Sequence, residues 1–373
     1  MKGKRFVYMI LAALMFLSFL LTSEVPANWR RESQGGMDVA SKRIQPQASL
    51  EEVGLYAIIQ NGKWGYMDKR GKTVIQPRFE NAAGFSEGLA AVRIRVGSRG
   101  QWGYIDQRGL LIIVPQYEIA GDFHDGVARV YNARSLDSPG KYIDTSGNSI
   151  QLPPAINLKN LWEFSGGLAK CEFIQDDKRT WGFINPKGEI AINPIYSSVG
   201  EFSEGLAFVK PDNNKYGYID TKGKMIIGPI YGSAQGFSDG LAAVNVDGKW
   251  GYIDKTGRMI IRPNLDLAYE FSEGLATVRV DGRVGYINKT GKMEIAPQFL
   301  NASQFSEGLA AANSLETAKK WGYIDQSGKW AIPPQWAGEG RPGMFRGGLA
   351  YIDLRDGQAR YIDKSGNIIW KNY

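Results

Sequence analysis

Along this chain the apolar positions fall in short runs, each of strand length and each closed by a turn signal, and no long window spaces them at helical intervals. Three runs follow one another in a fixed order. The first is Gly-Leu-Ala-x-Val, as at residues 88–92 and 274–278. A turn whose shortest form is Asp247-Gly248-Lys249 leads to the second, the box Trp-Gly-Tyr-Ile-Asp at residues 250–254. Another turn, Lys255-Thr256-Gly257, leads to the third at residues 259–261, and Pro263, which has no N–H to give to a ladder, predicts its end. The predicted unit is therefore a three-stranded meander. A connecting piece follows, usually with an aromatic residue (Phe79, Tyr117, Tyr196, Tyr231, Phe299), and ends in Phe-Ser-Glu-Gly.

The unit recurs nine times. Trp64, Trp102, Trp181, Trp250 and Trp321 head five boxes, and Gly140, Tyr216, Val284 and Ala359 hold the same place in the others, at steps of 34 to 41 residues. Such a period marks a repeat architecture in which no unit can bury its apolar face alone. The expected fold is all-β, a repeat array over residues 53–373. Nine three-stranded meanders can build an open, curved, solenoid-like stack or a closed β-propeller. Tyr56 in place of the recurring alanine of the first unit, and a last unit without proline, favour the open form. Ala90, Ala128, Ala169, Ala207, Ala242, Ala276, Ala310 and Ala350 keep one slot small, which predicts a packing seam that a larger side chain would overfill.

These residues resemble the WG repeat family, also called KWG repeats, over residues 55–370. The units beginning at Trp64, Trp250 and Trp321 match its full sentence, whereas those headed by Gly140 and Ala359 have Lys141 and Arg360 for the glycine. The resemblance implies a noncatalytic, interaction-type array. It implies nothing about a ligand.

The N-terminus has another character. Lys2, Lys4 and Arg5 precede an apolar run from residue 6 to residue 21, and Val25-Pro26-Ala27 offers small residues for cleavage. Residues 1–27 read as a signal peptide or an uncleaved N-terminal membrane anchor, and residues 28–52 as a flexible spacer. A secreted or extracytoplasmic location is expected, with membrane contact only through that first segment. The net charge of +7 is spread along the chain, so no nucleic-acid partner is implied.

Candidate chemistry thins out on inspection. One cysteine, Cys171, and one histidine, His124, cannot build a disulfide framework or a Cys/His zinc cage, and no cofactor motif is present. Asp68, Asp106, Asp144, Asp220, Asp254, Asp325 and Asp363 end seven boxes, but Asn185 and Asn288 end the other two. Asparagine keeps the acceptor that an Asx turn uses and lacks the charge that acid–base or metal chemistry needs, so a turn role is expected. Cys171 stands where other units have valine and reads as a buried small hydrophobe. The box tryptophans read as packing, with stacking on sugars as the competing reading.

Length varies mainly in the turn between the first and second strands, at residues 132–139, 175–180, 211–215 and 314–320. Insertions on one edge of an array map to one surface, where partners bind. Asn132, Arg134, Asp137, Asp176, Lys178, Arg179, Asp212, Glu316 and Lys319 are the candidate partner-binding residues. The expected partner is a protein or an envelope polymer, and the alternative is a carbohydrate or cell-wall ligand held by exposed aromatics.

Overall fold

The computed structural model describes residues 54–372 apart from 134–139, 176–177, 212–213, 318, 338–341 and 355–357. The predicted leader and spacer lie outside the described residues. Those described form nine antiparallel sheets and no helix. The sheets pack face to face in a ring, so each is a blade of a nine-bladed β-propeller.

Blade six shows the complete unit: strands Ser233–Ser238, Leu241–Val246, Lys249–Asp254 and Met259–Leu265, hydrogen-bonded in that order. The meander therefore has a fourth strand, built from the residues read as a connecting piece. It is short in some blades, only Asn81–Ala82, Ser198–Val199 and Asn301–Ala302 in the second, fifth and eighth, and is missing from the described residues of the first and ninth. These first strands are innermost: those of blades six and seven contact each other across the blade boundary.

Pro263 does not end its strand, contrary to the sequence-based expectation. Met259–Leu265 runs through it, with the register broken between Trp250 and Tyr252. The chain bulges there toward the box: a Cβ on Gly251 would stand 2.4 Å from the carbonyl oxygen of Ile261 and 2.9 Å from Pro263 N. Bulging on an outermost strand lets a proline sit where no ladder donor is required. The same crossing recurs at Gly65, Gly103, Gly182, Gly217, Gly285 and Gly322. The family's Trp-Gly thus records backbone passing over backbone. In blade nine, where Arg360 replaces the glycine, the outer strand Ile368–Lys371 has no proline and pairs Arg360 directly with Lys371.

Alternation along the strands feeds the core between blades. Leu241, Tyr252 and Ile261 of blade six pack against Ala268, Phe271, Ala276 and Val278 of blade seven. All eight recurring alanines are buried, each no more than 1% exposed, as a seam between blades requires. Cys171 lies among Tyr142, Phe164 and Phe173 between blades three and four, and burial pushes its thiol pKa up to about 12. It is a packing residue with little thiolate character.

Tyrosine of the box is fully buried in seven blades and sends its hydroxyl across the boundary. Tyr252 donates to the Tyr269 carbonyl at 2.7 Å and Tyr286 to that of Ser303 at 2.7 Å. Tyr361 of blade nine donates to Ala57 of blade one at 3.0 Å. Ile58 and Met67 of blade one share a core with Leu349, Ala359 and Trp370 of blade nine. Tyr56 completes the closure, its hydroxyl 2.7 Å from the Gly347 carbonyl and 3.0 Å from that of Arg346. Of the two arrangements open to the sequence, the chain adopts the closed one, and the residue that favoured an open end is the one that joins the ends.

Candidate functional site

A four-stranded meander puts its first and third turns at one end and its second turn at the other. Because equivalent turns of successive blades touch, the ring has two unlike faces. On one face the turn Phe-Ser-Glu-Gly is knitted from blade to blade. Ser86 donates to the carbonyl of Phe123 at 2.6 Å, Ser203 to Phe237 at 2.6 Å, Ser238 to Phe271 at 2.6 Å and Ser272 to Phe305 at 2.8 Å. The acidic residue beside each serine reaches the next turn too: Glu87 accepts from the N–H groups of Asp125 and Gly126, and Glu273 from those of Glu307 and Gly308.

That acid carries backbone strain. Glu87, Glu204, Glu273 and Glu307 have φ between 50° and 55°, a region that costs an L-residue about 1–2 kcal/mol. The charge-assisted bonds to the next blade offset it. Lys255 and Lys364, from the neighbouring third turn, pair with Glu204 at 3.0 Å and Glu307 at 3.1 Å. This face is committed to holding the ring.

Carboxylates that end the box are committed as well. In all nine blades the side-chain Oδ1 accepts from the backbone N–H groups two and four residues on, as Asp254 does from Thr256 and Arg258, and Asn185 and Asn288 do the same. The Asx turn expected from the two asparagines is present throughout. Hydrogen bonds from the Thr256 and Ser327 hydroxyls, with backbone N–H groups, hold Asp254 and Asp325 below the usual carboxylate range. A depressed folded-state pKa contributes stability above the unfolded value, lost as pH falls through the folded one. Asp254→Asn should therefore leave stability near neutrality almost unchanged and lessen the loss on acidification below about pH 4, whereas Asp254→Ala should cost about 1 kcal/mol near neutrality and less once the carboxylate of the parent chain is protonated. Thermal unfolding from pH 7 to pH 3 checks both.

Around the centre, Asp122, Glu163, Glu201 and Glu270 occupy the position before the inner phenylalanine of their blades. Burial, with the like charge of Glu163, raises the pKa of Asp122, and burial with Glu201 raises that of Glu270. Arg129 and His124 lie 3.8 and 3.5 Å from Glu163, and Lys170 lies 3.2 Å from Glu201. Among the described residues no three acidic, histidine or cysteine side chains converge as a metal site.

The opposite face carries the second turns, and with them the candidate partner-binding residues. Asn132, Lys178, Arg179, Glu316 and Lys319 are exposed on it; Arg134, Asp137, Asp176 and Asp212 lie outside the described residues. Asn132 follows a strand of blade three, Lys178 and Arg179 belong to blade four, and Glu316 and Lys319 lie on blade eight. Arg179 lies 3.6 Å from Glu172, a buried carboxylate that also accepts from Asn157 and Asn160. Of the box tryptophans Trp321 is buried and Trp64, Trp102, Trp181 and Trp250 are half-buried against the cores, as packing predicts.

Sequence reasoning missed a cavity of about 670 Å³ on this side, between blades seven and nine. Tyr269, Arg279, Asn301, Gln304, Trp321 and Met344 line it. The inner strand of blade eight beside it is only two residues long.

The family model described as "WG containing repeat" matches residues 64–95, 102–132, 181–216, 216–250, 250–283, 285–313 and 321–337. The chain belongs to the WG-repeat family. Its blades three and nine, which have Lys141 and Arg360 in the box, lack a repeat match of their own beginning at the box. No curated protein matches this WG-repeat chain in sequence. Among solved structures it is similar to that of a eukaryotic initiation factor (TM-score 0.53, 11% identity, 86% of this chain and 96% of that one). Lower likeness is found to BamB from Moraxella catarrhalis (TM-score 0.40, 15% identity, 74% and 94%) and to the computationally designed Ika8 protein (0.43, 11%, 69% and 86%). At these identities the likeness concerns the fold alone.

Proposed function

We propose that this WG-repeat propeller is a noncatalytic, extracytoplasmic scaffold that binds a protein or an envelope polymer through the face carrying the second turns. The observation that carries the reading is the division of labour between the two faces. Serines, carboxylates and turn glycines of one face are spent on blade-to-blade hydrogen bonds. Length variation and the large cavity fall on the other. The basic and apolar leader supports export.

A carbohydrate reading is kept by one feature, Tyr269, which is 41% exposed at the cavity. The box tryptophans lend it less, since they are packed against the cores.

The test is capture of envelope proteins by the purified full chain, run beside a polysaccharide array. Cutting the turns at 132–139, 175–180, 211–215 and 314–320 to Asp-Gly-Lys is expected to abolish capture while leaving thermal unfolding in place. Undiminished capture by that variant would remove the proposed face from consideration, and turnover of any substrate by the purified chain would overturn the noncatalytic reading.

A further inference from the structure

The repeat supplies its own comparison for the cavity. Arg93 of blade two and Arg279 of blade seven hold the same position, one residue past the Ala-x-Val of the second strand. In the groove beside Arg93 the protein brings carboxylates of its own. Glu118, at the entry to blade three, lines that 240 Å³ cavity with Arg93 and Trp102, and Glu80 and Arg93 crowd the same point above Gly100. Beside Arg279 the counterpart of Glu118 is Leu300, and the counterpart of Glu80 is Asp266, which is engaged by Lys249 at 2.7 Å and by the Asp281 N–H at 3.0 Å. Arg279 itself donates to the Gly282 carbonyl at 2.8 Å, and among the described residues no carboxylate lies within ion-pair distance of it.

Among the described residues the groove at Arg279 therefore has the same arginine as that at Arg93, lacks the internal anion and opens to nearly three times the volume. Around the vacancy stand two aromatic residues, Tyr269 and Trp321, and two side-chain amides, Asn301 and Gln304. A guanidinium recognises a carboxylate in two-point fashion, aromatic faces take the C–H face of a pyranose, and amides pair with hydroxyls. The volume lies within the range of small-ligand sites.

From this geometry we infer that the cavity binds a uronic-acid unit, a sugar bearing a carboxylate, with Arg279 on the carboxylate and Tyr269 against the ring. The inference deepens the scaffold reading by naming the chemistry of an envelope polymer that the face would take, and it rests on that reading only for the polymer. The monosaccharide tests the site by itself.

Titration of the full chain with glucuronate, glucose and acetate, followed by calorimetry and NMR, decides the matter. Glucuronate is expected to bind, with glucose and acetate each at least about tenfold weaker. Arg279→Gln and Leu300→Glu, the second restoring the carboxylate found at Glu118, should each weaken glucuronate by about tenfold or more, with thermal unfolding as the check on folding. Tyr269→Ala, at an exposed position, should weaken glucuronate and leave the fold intact. Absence of glucuronate binding, equal binding by Arg279→Gln, or acetate bound as tightly as glucuronate would each overturn the inference. Capture of a macromolecule that is lost on turn shortening but untouched by Arg279→Gln and Leu300→Glu would uphold the scaffold and refute the uronate site.

Discussion

Gly251→Val is expected to lower the unfolding free energy by about 3 kcal/mol or more, read from urea denaturation. The added Cβ would meet the Ile261 carbonyl oxygen at 2.4 Å and the Pro263 nitrogen at 2.9 Å, and both are backbone atoms of the bulged outer strand. A flexible side chain could rotate away from such a collision, but a bulge held by the register Trp250–Leu265 and Tyr252–Ile261 cannot move without breaking the ladder. Blade three provides the control. Lys141 occupies the equivalent slot, and no outer strand is paired across it among the described residues. Its Nζ lies 5.3 Å from the centre of the Tyr117 ring. Lys141→Gly should accordingly cost only about 1 kcal/mol, from backbone entropy and the lost ring contact.

Trp370→Ala should cost about 3–5 kcal/mol. Trp370 is 7% exposed and fills the core shared by blades nine and one, with Ile58, Met67 and Leu349. In an open array such a change would loosen only the last unit. In the ring it weakens the boundary that fixes both ends, so far-UV circular dichroism and tryptophan fluorescence should report one transition, displaced as a whole. Two separate transitions, or loss limited to one blade's worth of signal, would contradict closure.

What the sequence made legible was whatever repeats locally. Asn185 and Asn288 exposed the turn role of the seven aspartates because an Asx acceptor acts within four residues of its own position. The alanine row showed the seam because burial on one face recurs at a constant place in the unit. The fourth strand stayed hidden because residues such as 233–238 mix glycine and polar side chains, and because in blades two, five and eight the strand is two residues long. Pro263 misled because it falls in the bulge, where the register is broken and the ladder requires no donor. Closure was illegible in principle, since Tyr56 meets Gly347 across 291 positions of chain and no periodic signal links them. The cavity is likewise lined from three blades, by Arg279, Gln304 and Met344 among others, which no local pattern links.

Most boundaries between blades are written in one vocabulary: a tyrosine hydroxyl, a serine hydroxyl, an acid and a small residue, offered forward to whatever blade comes next. Between blades five and eight nothing in a blade's face states its ordinal number. The seam is marked by Tyr56 on one side and by Arg346 and Gly347 on the other, where a Cβ on Gly347 would stand 2.3 Å from the tyrosine oxygen, and blades three and four are marked by His124, Gly166 and Phe183. A whole unit lost from, or copied within, the middle of the chain would therefore meet neighbours it already fits, and the cost would be spread as a small change in the angle between every pair. Ring size would then be set by the number of regular units in the chain and absorbed by curvature.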